Sequence, residues 1–469
     1  MLANNKKDFK YWAIEALPWV FSLAYLAVCI YYYKERVTYC DNSYYLTKIF
    51  RKESFNIESG SAISVFFQII PILLRKLSAP LRIVMVGYSV NFALIYIGCF
   101  FIIKSVFKSN YLAWGALLCT HLFLHYGFYF PTEMIVSAAI IVLIVAFLTI
   151  NERRKDKPLI PIFYYGVGSL LLLLIVIIHP LYFIIMGAIL FCLYLIDYNK
   201  AYLHFIAICI VFLFVKMVFF KSGYEDEKMG GISLSYLNFS SISHSNLTNY
   251  WKQSFLERYF IAKYALFAFV LYLAWERKWL LALAIPFAYL SLYLLVYTSM
   301  PNGASLGYMD NYMVAISVFP LIVFLFYLEQ KTTNIKNIFV VVCFLVSING
   351  LLRVSNEPIF KDRVIYLESI LAHGRTNNIN KFFIEDSTFR HSDISMDWAI
   401  PYETLLISTL GGKTQTIFDN TGKYKLEEVN NPKLFLGAPW ESPINNVELN
   451  KRYFQLDTGK YVLINGMDF

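Results

Sequence analysis

Long apolar runs dominate this chain. Stretches of bilayer-spanning length occur near 12–33, 83–103, 111–129, 132–150, 161–178, 181–196, 201–220, 261–275, 279–298, 312–328 and 337–352. A helix rises about 1.5 Å per residue, so a hydrocarbon core of roughly 30 Å takes about 20 apolar residues. The pattern predicts about eleven transmembrane helices, two of them short enough to be tilted or partly interfacial. No A-x-A cleavage pattern follows the first stretch, which reads as a retained anchor.

The segments between and after these runs carry their own pattern. "SAISVFFQIIPILL", at 61–74, is apolar but too short to span, and predicts a helix lying in the membrane interface. Beyond 352 no spanning stretch remains. "PIFKDRVIYLESILAHG" has helical spacing with Gly374 as its stop. "KFFIE", "TQTIF" and "KLFLG" read as short strands, and "RYFQLDTGKYVLI" as a hairpin turning at 457–460. The predicted fold class is an α-helical polytopic membrane protein with a small C-terminal α/β domain. Residues 1–352 form the membrane part, with a long first loop at 34–82, and 353–469 form the polar domain.

Composition agrees. Apolar residues make up 58% of the chain and charged residues 16%, against roughly 45–50% and about 25% in soluble domains. The net charge of +9 comes from the loops, and this excludes nucleic acid as the natural partner. Lys6, Lys7, Lys10, Lys104, Lys108, Arg153, Arg154, Lys155, Lys157, Arg277, Lys278, Lys331 and Lys336 all fall on one side of the predicted bundle. The alternate hairpins around Pro131, His179 and Pro301 hold no Lys or Arg. The positive-inside rule then predicts a cytoplasmic N-terminus and an extracytoplasmic C-terminal domain. The first loop breaks that rule, with Lys34, Arg36, Lys48, Arg51, Lys52, Arg75, Lys76 and Arg82 on the outer side. If 61–74 spanned the membrane, every later loop would change sides and the charge pattern would fail.

Of the seven cysteines only Cys40 lies outside an apolar run, and the C-terminal part has none, so no disulfide framework is expected. The ionisable residues near the outer ends of the helices are the candidates for chemistry, because such groups are costly at membrane depth. They are Asp41, Glu133, His179 and Asp310, with Glu225, Asp226 and Glu227 in a later loop. Each has a plainer reading. Glu133 and Asp310 stand at helix starts, where an acid complements the dipole. His179 precedes Pro180 in a turn, the 225–227 acids suit a solvated loop, and His121 and His125 suit packing as well as a metal. Asp41 reads as a loop acid beyond a helix C-terminus, where the dipole offers it nothing. The basic residues around it suit an anionic lipid headgroup and a reacting hydroxyl.

In this layout the chain resembles the GT-C superfamily of integral membrane glycosyltransferases. The shared elements are one helix, a long first loop with an early acid, a short "PILLRKL" interfacial helix, a many-helix body and a polar C-terminal domain. "FFQIIPILLRKLSAPLRIVMVGYSVNFALI" and "FYFPTEMIVSAAIIVLIVAFL" look like the corresponding parts of bacterial members. The resemblance covers about residues 10–330. Many members carry a paired acid in the first loop where this chain has Asp41-Asn42, and an Arg-Tyr near a late helix start where it has Asp310-Asn311-Tyr312.

The resemblance implies a polyprenyl-phosphate-linked sugar as donor and a glycan, lipid or protein acceptor, handled at the outer face of a bacterial plasma membrane. It implies Asp41 as general base, with Glu133 as a second acid orienting the acceptor. Arg75, Lys76, Arg82 and Arg36 are the phosphate candidates, with His179 and Asp310 also lining the site. No cofactor is certain. A divalent metal stays open, though no strong ligand set is visible. The rival readings are an envelope polysaccharide polymerase or ligase, for which His244 and Arg258 of the 221–260 loop could serve, a secondary transporter, and a non-enzymatic membrane protein.

Overall fold

Every apolar stretch forms helix in the computed structural model. It describes residues 5–57, 63–121, 126–153, 158–220, 223, 226, 238–253, 260–300, 306–330, 334–385, 396–420, 429–449 and 451–463. Arg154, Lys155, Lys157, His125, Glu225, Glu227, Arg258, Pro301 and Lys331 lie outside the described residues.

Four helices are long and apolar enough to cross a bilayer: Leu81–Ser105, Ala201–Phe219, Trp279–Ser299 and Met309–Glu329. Shorter apolar helices include Ala16–Tyr31, Glu133–Leu148, Pro161–Leu173, Leu181–Asp197 and Lys263–Trp275. The expectation of about eleven full crossings therefore meets four helices of full length among the described residues. The difference has local causes. The stretch near 161–178 changes from α-helix to a 3₁₀ turn at Leu174–Ile177 before the His179-Pro180 bend, and of the stretch near 111–129 the described residues form the helices Asn110–His121 and Tyr126–Tyr129. Glu133–Leu148 is buried almost all round and sits at the centre of the bundle. Ala201–Phe219 and Trp279–Ser299 turn large side chains such as Phe214 and Phe287 outward, as lipid-facing helices do.

The first loop is largely helical, as Tyr33–Thr38, Cys40–Lys52 and Ser64–Lys76. The expected short helix is present as Ser64–Lys76. It exposes an apolar stripe at Phe66, Ile69, Leu73 and Leu77 and buries Phe67, Gln68 and Ile72. The chain's return to it is pinned by Gln68, whose amide accepts from Asn56 N at 2.7 Å and donates to Asn56 O at 2.6 Å.

In the C-terminal part, β1 (Lys381–Glu385) lies between β2 (Thr416–Asn420) and β5 (Val462–Leu463), parallel to both. A two-residue antiparallel pair joins β3 (Leu434–Phe435) to β4 (Ile444–Asn445). The expected 452–464 hairpin does not form. Val462 and Leu463 pair with Phe382 and Phe383, while 451–457 form no strand and serve for docking. Tyr453 donates to Ala79 O at 2.8 Å, Arg452 donates to Ser78 O at 2.7 Å, and the Tyr453 ring packs 4.5 Å from that of Phe50. Gly374 is no stop either, since its helix runs Ile359–Thr376. A Cβ there would lie 1.8 Å from Phe382 Cζ, so the glycine serves close packing of that helix on β1.

This part is docked on the first loop through paired charges. Lys34 bonds Glu368, Lys48 meets Glu441 at 2.8 Å, and Arg51 meets Glu448 at 2.7 Å. Three of the basic residues that break the positive-inside pattern are thus matched by acids of the C-terminal domain. Burial alone would raise the Glu441 carboxyl, but hydrogen bonds from Lys48, Tyr402 and Tyr44 outweigh it and hold the group below the ordinary carboxylate range. The helix Ile400–Leu410 is buried on both sides. Tyr402, Leu405 and Leu406 belong to the main core, while Ile400 and Ile407 face the domain's own smaller core.

Lys381 offers a pH test of this packing. Its ammonium is buried at the start of β1 and donates to Pro432 O at 2.8 Å and Leu434 O at 2.7 Å. Burial pulls its pKa down from 10.5 to about 8, only partly offset by Asp457. The unfolded chain then binds more protons than the folded one between those values, so this group's contribution to stability grows as pH rises from about 8 to 10.5. The expected result is that the difference in melting temperature between wild type and Lys381→Met shifts in favour of the wild type over that interval. A difference that stays flat with pH contradicts it.

Candidate functional site

The site is built around the start of the helix Cys40–Lys52. Tyr39 is extended, Cys40 takes φ +50°, and the helix begins there. Asp41 therefore lies in a first helical turn, correcting the expectation of a loop acid that the dipole cannot help. An acid in a first turn complements the helix dipole. Asp41 is half-buried, and the Cys40 thiol donates weakly to it at 3.8 Å. Burial first, then the charges of Asp41 and Glu403, push the Cys40 pKa well up, so Cys40 stays a neutral thiol.

Asn42, the residue after Asp41, is buried and structural. Its amide donates to Arg36 O at 3.0 Å, and its carbonyl accepts from the Tyr88 hydroxyl at 3.4 Å. Tyr88 lies fully buried on Leu81–Ser105, and its phenol is within electrostatic range of both Asp41 and Glu133. Glu133 is half-buried in the first turn of Glu133–Leu148.

Arg36 is only 1% exposed and has no carboxylate within ion-pair distance among the described residues. Its Nε donates to Ser89 Oγ at 2.9 Å and Nη1 to Phe128 O, and the guanidinium lies 4.1 Å from the Phe128 ring centre. Nη2 is buried and meets no acceptor at hydrogen-bond geometry among the described residues, while the Tyr25 phenol interacts with the guanidinium. Buried charges are normally paired, and each unmade bond is costly.

Asp310 reaches this cluster from behind. Fully buried, it accepts from Gly127 N at 2.8 Å and from the Tyr250 hydroxyl at 3.0 Å. The short helix Tyr126–Tyr129 is thus clasped by Asp310 at Gly127 and by Arg36 at Phe128 O. In this arrangement Asp310 is a brace. The other nominated residues stand apart. Arg75 is buried against Glu53 at 2.5 Å, and that hydrogen bond holds the exposed Glu53 carboxyl below its usual range. Lys76 and Arg82 are exposed, Arg82 with its guanidinium 5.8 Å from the Tyr33 ring centre. His179 accepts from Leu181 N at 3.2 Å and packs edge-on to Tyr312. Among the described residues no group of three or more His, Cys, Asp or Glu comes together as a metal donor set.

Asn42, Tyr88 and Ser89 were not nominated, nor was the buried pair Arg363–Glu403, with Nε 3.0 Å from a Glu403 carboxylate oxygen. Tyr88 and Ser89 sit inside an apolar run, where nothing in the local pattern singles them out. Glu403 did leave a signal, a lone acid inside "AIPYETLLIS".

Comparison with protein families, with curated proteins and with solved structures finds no match.

Proposed function

We propose that the protein is a membrane glycosyltransferase of the GT-C kind, moving a sugar from a polyprenyl-phosphate carrier to an acceptor hydroxyl. The face that carries the C-terminal domain is extracytoplasmic in this reading, the N-terminus is cytoplasmic, and the chain crosses about eleven times, its shorter helices in locally thinned bilayer. The observation that carries the proposal is the Arg36 guanidinium, buried with no carboxylate at ion-pair distance among the described residues. A cation so placed, with no protein anion, suits a phosphate that arrives with the substrate.

The chemistry follows. The carrier is too long to leave the bilayer, so the reacting bond stays at the membrane face. The acceptor oxygen attacks the anomeric carbon, the bond to the phosphate oxygen breaks, and the lipid phosphate leaves with the electron pair. Arg36 stabilises that leaving charge. Asp41 takes the acceptor proton, and Glu133 orients the acceptor. The Ser64–Lys76 helix, with its exposed apolar stripe, suits a bed for the carrier's chain at the interface. Lys76 and Arg82 beside it suit the headgroups of the surrounding lipid.

Topology is the first test. A reporter fused after residue 469 is expected outside, and one inserted within 151–157 in the cytoplasm. Both reporters on one side would remove the architecture and the site with it. The reaction is tested with purified protein in nanodiscs. Release of polyprenyl phosphate from sugar-loaded carrier, dependent on added acceptor, is the expected product, and a carrier left intact with every acceptor contradicts the proposal.

A further inference from the structure

We infer that Glu403 of the C-terminal domain is the positioning residue for Asp41, holding the backbone one residue before it in a conformation the first loop does not support alone. The functional meaning rests on Asp41 as the base. The geometry does not.

Cys40 has φ +50°, in the left-handed region that residues other than Gly, Asn and Asp seldom enter. It also opens a helix, where the first N–H groups lack intrahelical partners. A Ser, Thr, Asp or Asn at residue 39 would cap such a helix locally. The residue there is Tyr39, and its side chain makes no cap bond. The cap comes instead from far along the chain. The Cys40 N–H donates to a Glu403 carboxylate oxygen at 3.0 Å.

Glu403 is 1% exposed, and its other oxygen accepts from Arg363 Nε at 3.0 Å. The Arg363 guanidinium lies 5.6 Å from the Tyr39 ring centre. Two domain helices, Ile359–Thr376 and Ile400–Leu410, thus clasp the chain at residues 39 and 40. Rotation of Cys40 to an ordinary right-handed φ would swing residue 41 away from its place at the start of the helix Cys40–Lys52. Docking of the C-terminal domain is therefore a condition for placing Asp41, and the domain is part of the catalytic apparatus as well as a cover.

Glu403→Gln is the decisive variant because it keeps the side chain's shape and an acceptor oxygen while removing the charge that strengthens the bond to Cys40 N–H. Residue-resolved hydrogen exchange on the full-length protein in nanodiscs reads the result. The expected outcome is exchange at the Cys40 amide about tenfold faster than wild type, with amides of Leu81–Ser105 and Lys381–Glu385 unchanged. Exchange at Cys40 within twofold of wild type overturns the inference, as does equal acceleration throughout the domain. In the transfer assay the same variant is expected to lower kcat with the donor KM unchanged. If Asp41→Asn transfers at the wild-type rate while Glu403→Gln still speeds Cys40 exchange, the clasp stands and the base is another residue.

Discussion

Asp41→Asn is expected to slow sugar transfer by roughly 10²–10⁴-fold while leaving fold and donor binding in place. The substitution preserves shape and removes basicity. Asp41 sits in the first turn of the helix Cys40–Lys52, on the side of the helix dipole that suits an acid. Being half-buried and nearly the shape of Asn, it contributes little packing that the substitution would lose. Glu133→Gln is expected to act differently, raising the acceptor KM more than it lowers kcat, because the proposed role of Glu133 is to orient the acceptor and not to take its proton. Steady-state rates for the two variants separate the roles. Wild-type transfer in Asp41→Asn together with abolished transfer in Glu133→Gln would reverse the assignment.

Arg36→Met is expected to cost roughly 2–5 kcal/mol of donor affinity, the usual penalty for removing one partner of a desolvated charge pair. Arg36→Lys keeps the charge but loses the planar fork, and its expected loss is intermediate. Stability gives the contrast. Arg36→Met gives up the bonds to Ser89 Oγ and Phe128 O but also removes a buried cation that no carboxylate offsets. The two effects oppose each other, so the melting temperature without ligand should move little. A binding isotherm with a short-chain polyprenyl phosphate, set beside thermal melts, checks both halves. A large drop in melting temperature with donor affinity unchanged makes Arg36 a structural clasp for the 126–129 turn and nothing more.

What the sequence disclosed and what it hid follow from the range of the interactions. The apolar runs and the short helix at Ser64–Lys76 are written in local hydropathy and were legible. The 452–464 hairpin was misread because alternating apolar residues look alike whether they pair in a sheet or pack on a neighbour, as Tyr453 and Phe454 do on Phe50. The basic first loop was visible as an exception to the charge pattern. Its cause, the acids Glu368, Glu441 and Glu448 hundreds of residues away, was not. Arg75 looked as available as Arg36 until Glu53 claimed it. Asp41 was singled out for the wrong electrostatic reason, since a helix begins at Cys40 where a loop was expected. Tyr88 and Glu403 act through contacts that only the folded chain makes.

The central claim is that a lipid-linked phosphate meets Arg36 beside Asp41. A cryo-electron microscopy map of the full-length protein in nanodiscs with a short-chain polyprenyl phosphate tests it most directly. The account predicts phosphate density within hydrogen-bond reach of Arg36 Nη2, in a cavity that Asp41 and Glu133 also line. Phosphate density at Lys76 or Arg82 with Arg36 still enclosed by protein would contradict it.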